Sequence, residues 1–246
     1  MKRVLVTGGT GFLGRALVRK ILEETPDVEV LTLSRNETNI AMLQTMNVSE
    51  RLLSVVGDIR DIEVLQSVLD GVDTVVHLAS MKHVDLCESC TWEAVTTNVN
   101  GTMNLLRLFK GDTLVIVSTS RAVTPVNCHE ATKLLMEKLV LEQADRQDRD
   151  ARYMVVRIGD VVDPDSCIGE PVRRRDGRSK KGETASGYGN GVIYTDAAVA
   201  LILAVIQRGK NGLTYTPDVT NANLGTSIQR RVLKHTRKPI AGVHAK

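Results

Sequence analysis

The feature that most constrains this chain stands at its start. A β-branched run, Val4–Thr7, ends in Thr7-Gly8-Gly9-Thr10-Gly11-Phe12-Leu13-Gly14, and a helical stripe of Phe12, Leu13, Ala16, Leu17, Val18, Ile21 and Leu22 follows at once. Pro26 marks where that helix must end, and Val28–Leu33 reads as the next buried strand. One βαβ unit is thus written in the first 33 residues. Glycines in a strand-to-helix turn let the backbone bend tightly and approach a pyrophosphate, whose charge suits the unpaired amides at a helix start. The other reading, a tight turn without a ligand, stays open.

The same alternation continues. Leu52–Val56, Thr74–Leu78, Leu114–Ser118 and Met154–Ile158 read as further buried strands, with helices over Asp61–Leu69, Trp92–Phe109 and Ala131–Ala144. The right-handed crossover rule makes this an α/β fold with a doubly wound parallel sheet and helices on both faces. Residues 1–162 form the dinucleotide-binding domain on this reading. From Asp163 to Gly191 the chain is polar and glycine-rich, with Arg173, Arg174, Arg175, Arg178, Lys180 and Lys181, a run expected to be partly flexible and solvated. Apolar periodicity resumes at Asp196–Gln207, followed by a strand at Leu213–Thr216 and a helix near Ser227–His235. Residues 163–246 are read as a small substrate lobe at the carboxyl edge of the sheet, where ligands of open α/β sheets bind.

Composition excludes several functions. Thirty-two Lys and Arg against 29 Asp and Glu leave +3, too slight an excess to argue for nucleic acid or an anionic membrane. No apolar run nears the roughly 20 residues of a membrane span. Four cysteines in 246 residues are not a disulfide framework, and the first strand begins without a leader, so a cytoplasmic protein with reduced thiols is expected.

The end of the second strand discriminates between dinucleotides. A carboxylate there grips the ribose hydroxyl of NAD, whereas a basic side chain accommodates the 2′-phosphate of NADP. Ser34-Arg35-Asn36 stands at that place, so NADP is favoured and NAD is the alternative. Glu37 nearby works against this choice, and Arg35 as a plain solvated loop charge is the other reading. Asp58, after the third strand, can accept from an adenine amino group or cap the helix starting near Asp61.

Cysteine and histidine suggest rival chemistry. His83, Cys87 and Cys90 have a spacing that one helix could turn toward a metal, but no second CxxC accompanies them, and no metal site is expected. Cys128 lies beside His129, yet neighbours on a helix point apart, so Cys128 reads as a small buried hydrophobe.

With these residues in place the chain resembles the extended short-chain dehydrogenase/reductase superfamily, in its TGGTGFLG, GDIRD and HLAS segments. SMKHVDLCES, TNVNGTMNLL and VSTSRAVTPVNCHEATKLLMEKLV are similar to the polysaccharide-biosynthesis branch, the UDP-N-acetylglucosamine 4,6-dehydratases and related nucleotide-sugar enzymes. YTDAAVALIL and GKNGLTYTP resemble that branch further along. The resemblance implies a Rossmann fold, NADP, a nucleotide-sugar substrate and a homo-oligomer. Cofactor contacts are implied for Gly8, Thr10, Gly11, Phe12, Leu13, Gly14, Ser34, Arg35, Asp58, Ile59, Leu78, Ala79, Ser80 and Lys133. Substrate contacts are implied for Lys82, Asn98 and Arg121.

The departures from that branch redirect the chemistry. A tyrosine with a lysine four residues later is the superfamily's proton-transfer pair, and here His129 precedes Lys133. A neutral imidazole can act as base near neutral pH, and Lys133 beside it opposes protonation. Where the branch has Ser-Thr-Asp-Lys, this chain has Ser118-Thr119-Ser120-Arg121. Ser120 has no useful acid and Arg121 stays charged, which argues against dehydration by the branch's route. Arg121 can hold a carboxylate or phosphate, and Ser118 and Thr119 can orient a hydroxyl. Gly191 stands where the branch places a phosphate-binding arginine. Arg157 and Asp160 match a turn implied to close under the nicotinamide. The expected function is an NADP-dependent nucleotide-sugar epimerase or dehydratase-like enzyme, with His129, Lys133, Thr119 and Ser118 catalytic. The alternative is a non-catalytic NADP-binding sensor or scaffold.

Overall fold

A computed structural model describes residues 1–146, 150–162, 192–217 and 228–231. Strands β1 (Arg3–Thr7), β2 (Glu29–Ser34), β3 (Leu52–Val56), β4 (Thr74–His77), β5 (Thr113–Thr119) and β6 (Arg152–Ile158) lie where β-branched residues run together. Helices α1 (Phe12–Glu24), α2 (Glu37–Met46), α3 (Ile62–Leu69), α4 (Val84–Ser89), α5 (Thr91–Val95), α6 (Gly101–Leu108) and α7 (Cys128–Arg146) separate them. A short pair, β7 (Asp160–Val162) with β8 (Val192–Tyr194), precedes α8 (Thr195–Arg208), β9 (Thr214–Pro217) and β10 (Ile228–Arg231). The main sheet runs β10-β9-β6-β5-β4-β1-β2-β3; its strands are parallel except β10, which pairs antiparallel with β9.

Alternation along each strand feeds two cores. Val4 and Val6 pack on one face with Leu17, Val18 and Ile21 of α1 and Ile202 and Val205 of α8. Leu5 faces the other way, with Leu65 of α3, Leu105 of α6 and Met136 and Val140 of α7. Both faces are covered, as a parallel sheet requires. The described part of residues 163–246 joins this structure, since α8 packs against α1 and β9 extends the sheet beside β6. The helix expected near Ser227–His235 is corrected, because Ile228–Arg231 is a strand. The basic run from Arg173 to Lys181 and Gly191 lie outside the described residues.

Three local features differ from the sequence expectation. α2 and α4 break segments with weak apolar periodicity, too short or too polar to announce themselves. The helix read over Trp92–Phe109 is interrupted by a π turn, Thr96–Asn100, between α5 and α6. Asp61, not Asp58, caps α3, accepting from the amides of Glu63 and Val64. Among the described residues no helix is long and apolar enough to cross a membrane.

Candidate functional site

Strand order reverses between β1 and β4, and their carboxyl ends open a cleft of about 590 Å³ at that switch point. The glycine turn forms one wall. Gly8 has φ of +72°, and a Cβ there would sit 2.7 Å from the Ala79 nitrogen. A Cβ on Gly14 would meet the Gly8 carbonyl oxygen at 2.4 Å, so the turn and helix can close this tightly only without side chains. α1 begins at Phe12 after Gly11, which offers no side-chain cap, in contrast to α2 and α3, which Asn36 and Asp61 cap. Its first amides are therefore left to the cleft, an arrangement that fits a dinucleotide pyrophosphate.

Beneath the turn a buried chain of hydrogen bonds fixes the strand ends. Thr102 Oγ1 spends its proton on the Asn98 carbonyl (2.6 Å), so at 3.0 Å it accepts from His77 Nε2. His77 Nδ1 then accepts from Thr7 Oγ1 at 2.6 Å, and Thr7 Oγ1 accepts from the Ala79 amide at 3.3 Å. Burial, then the charge of Lys133, push His77 down to about 3, so it stays a neutral strut. Its sequence signal, a histidine ending an apolar strand, was readable only as part of HLAS.

At the end of β2, Ser34 Oγ and Thr10 Oγ1 are 2.7 Å apart, tying this loop to the glycine turn. Arg35 lines the cleft and reaches Asp58 at 3.7 Å. Asp58 accepts from the Arg60 amide (2.9 Å), Nε (3.0 Å) and Nη2 (2.7 Å). Burial works against its charge, but the Arg60 hydrogen bonds outweigh this and hold the carboxyl below its ordinary value. Asp58 itself does not line the cleft, although Ile59 does.

The opposite wall comes from β5 and α7. Gly8, Thr10, Gly11, Phe12, Leu13, Gly14, Ser34, Arg35, Ile59, Leu78, Ala79 and Ser80 share this cleft with Lys82, Ser118, Thr119, Arg121, His129 and Lys133. His129, Lys133 and Glu137 follow each other at four-residue steps on one face of α7. Lys133 Nζ donates to the Val117 carbonyl at 3.0 Å. Burial pushes its pKa down to about 8, while the charge of Glu137 acts in the opposite direction. Glu137 is locked to Arg157 of β6, whose Nε reaches its two oxygens at 2.8 and 3.0 Å and whose Nη2 adds a third hydrogen bond. This buried pair was not foreseen, although its fixed spacing from Lys133 was visible in the sequence.

His129 Nδ1 lies 3.1 Å from the Met81 carbonyl, which can only accept, so Nδ1 carries the proton and Nε2 the lone pair. Burial first, and Lys133 second, hold this imidazole below its ordinary pKa; the Met81 hydrogen bond and Glu130 act the other way. Thr119 caps the short 3₁₀ turn Ser120–Val123. Ser118 is buried, and its Oγ has no hydrogen-bond partner among the described residues. A buried hydroxyl on a cleft wall without a partner fits a site awaiting a polar ligand group.

Two expected substrate contacts are altered. Asn98 is fully buried and does not line the cleft; Met81 and Thr132 take its amide, so it is corrected from a substrate contact to an internal one. Arg121 does line the cleft, but its Nη2 pairs with Asp160 of β7 on the facing lip. Residues of the lining not anticipated as site residues include Gly57, Val84, Thr97, Val117 and Gly159. Cys87 is buried and its Sγ lies 3.5 Å from the Met81 carbonyl, whereas Cys90 is exposed. Among the described residues no group of three His, Cys, Asp or Glu side chains is placed to hold a metal.

A doubly wound sheet with an uncapped glycine turn at its switch point, facing a buried lysine on a long helix, is the Rossmann-type arrangement of an extended short-chain dehydrogenase/reductase. The chain belongs to the polysaccharide biosynthesis protein family, whose profile matches residues 4–170. An uncharacterized membrane protein of Methanocaldococcus jannaschii is 39% identical over 171 residues, covering 68% of this chain and 51% of that protein. A UDP-N-acetylglucosamine 4,6-dehydratase (inverting) of Campylobacter jejuni is 33% identical over 165 residues, covering 65% and 49%. A dTDP-glucose 4,6-dehydratase of Streptomyces venezuelae, solved with NAD bound, superposes with a TM-score of 0.69 at 27% identity, covering 87% of this chain and 74% of that one. The chain spans about half the length of the curated relatives it matches.

Proposed function

We propose that this protein is an NADP-dependent enzyme acting on a nucleotide sugar by reversible oxidation of one sugar hydroxyl. One observation carries the reading: the glycine turn, the neutral His129, the buried Lys133 and the unpartnered Ser118 hydroxyl line a single cleft. Bound nicotinamide supplies the hydride acceptor for such chemistry. His129 Nε2 takes the hydroxyl proton as the C–H electron pair leaves the same carbon, so an alcohol becomes a ketone. Ser118 and Thr119 orient that hydroxyl, and Lys133 stays cationic below about pH 8 and discourages protonation of His129. Lys82, on the loop after β4, suits the diphosphate of the substrate.

Epimerisation or simple oxidoreduction suits these groups better than dehydration. Loss of water needs an acid where Ser120 stands and a base where Arg121 stands. Mixing the protein with NADP and a panel of UDP-sugars should either raise absorbance at the reduced-nicotinamide band, for net oxidation, or change the sugar by proton NMR with the coenzyme returned to its oxidised form, for epimerisation. A flat trace and an unchanged sugar, with tight NADP binding, would favour the second reading, a non-catalytic dinucleotide sensor. The Arg121–Asp160 pair across the cleft favours that reading, because it occupies a cation otherwise free for substrate.

Arg35 is assigned the 2′-phosphate of NADP, and Arg35→Ala should weaken NADP about ten-fold or more while changing NAD by less than about three-fold, by calorimetry. Equal losses would remove Arg35 from cofactor discrimination. Glu37, two residues further on, is the carboxylate that keeps NAD as the alternative. The protein is further proposed to be cytoplasmic and a homo-oligomer. Trp92 on α5 is 81% exposed and Leu135 on the adjoining α7 is 49% exposed, apolar surface that a second copy would cover.

A further inference from the structure

The π turn Thr96–Asn100 inserts one extra residue into an otherwise α-helical run, and it turns two consecutive side chains inward. Thr97 lines the cleft, while Asn98 is fully buried beside it. Asn98 grips the backbone of Met81 on both sides of its Cα with the two ends of its amide. Its Oδ1 accepts from the Met81 N–H at 2.7 Å, and its Nδ2 donates to the Met81 carbonyl at 3.0 Å and to Thr132 Oγ1 at 2.9 Å. Thr132 Oγ1 donates in turn to the His129 carbonyl at 2.8 Å. The side chain therefore binds the loop after β4 to the first turns of α7 at the level of His129.

The Met81 carbonyl that Asn98 holds is the acceptor for His129 Nδ1, and Cys87 Sγ approaches the same oxygen. We propose that Asn98 is a positioning residue that fixes His129 in its Nδ1–H tautomer through the Met81 carbonyl. With the Met81 N–H and C=O both held, the two peptide groups flanking its Cα are fixed, and the carbonyl presents its oxygen to the ring in one orientation only. Nδ1 must then carry the proton, and Nε2 keeps the lone pair whichever way the catalytic question is resolved. Both nitrogens of an untethered imidazole would share the proton, and a base would be present only part of the time. As a statement about the base the inference rests on the proposed function, but the tautomer itself does not.

The test is ¹⁵N NMR of protein labelled on histidine, with the His129 signals assigned by their loss in His129→Phe. In the unaltered protein above the His129 pKa, Nδ1 should appear as the protonated nitrogen and Nε2 as the lone-pair nitrogen. Asn98→Asp keeps the acceptor for the Met81 N–H and removes the donors to its carbonyl. It should convert the single tautomer into a mixture, while Thr132→Val, which leaves the Met81 clamp intact, should not. Where turnover is measurable, Asn98→Asp should lower kcat about 10- to 100-fold with KM little changed, as expected for a misaligned base. An Nε2–H tautomer in the unaltered protein would overturn the proposal without any variant. So would an unchanged tautomer in folded Asn98→Asp or Asn98→Ala. The expected tautomer with no turnover under any condition would instead count against the enzymatic reading and leave the positioning role standing.

Discussion

His129→Phe is expected to lower kcat about 10² to 10⁴-fold, the range supplied by a positioned general base, and to leave NADP affinity within about two-fold. The ring is replaced by one of similar shape, so the packing around α7 is largely kept, and what is lost is the Nε2 lone pair. In the unaltered enzyme the same assignment predicts a bell-shaped pH profile. On the acid side the rate rises as His129 loses its proton, and because burial lowers its pKa this limb lies below pH 6.5. On the alkaline side the rate falls as Lys133 loses its charge near pH 8. In His129→Phe the acid limb should vanish with the activity. A variant with unchanged rate and an unchanged acid limb would remove His129 from the mechanism.

The second large effect concerns the foundation under Lys133. Glu137→Ala leaves the Arg157 guanidinium buried without its carboxylate, and removing one partner of such a pair typically destabilises a fold by about 3–5 kcal/mol. Arg157 is 5% exposed and Glu137 1%, so water cannot compensate from outside. Urea unfolding should show the loss. Replacing both residues, as Glu137→Leu with Arg157→Met, should recover most of the stability, since an apolar pair no longer strands a charge. It should not recover the electrostatics: without the Glu137 carboxylate, Lys133 loses the charge that raises its pKa, and the alkaline limb moves further below pH 8. A single variant within about 1 kcal/mol of the parent would mean the pair is not the anchor the structure shows.

Much of this was readable from residue types alone. The glycine turn, the alternating strands and the four-residue step from His129 to Lys133 are local patterns, and local patterns survive translation into three dimensions. Val4 and Leu5 announce two buried faces because neighbours on a strand point opposite ways. What the sequence concealed is what depends on contacts between distant segments. Asn98 looked like a polar residue free to meet a substrate, and only the fold reveals that Met81 and Thr132 consume its amide. The π turn that aims it inward has no compositional signature. Arg121 looked unpaired because Asp160 lies 39 residues away in the chain. Asp58 read as an adenine contact or a helix cap, and only the fold shows that Asp61 takes the cap while Arg60 takes the Asp58 carboxylate.

The central claim is that the cleft beside the glycine turn receives a nicotinamide dinucleotide. Isothermal titration of the purified chain with NADP and with NAD tests it directly. Saturable binding of one coenzyme per chain, tighter for NADP, is the predicted result. Absence of heat from either coenzyme up to millimolar concentration, with the protein folded, would contradict the account.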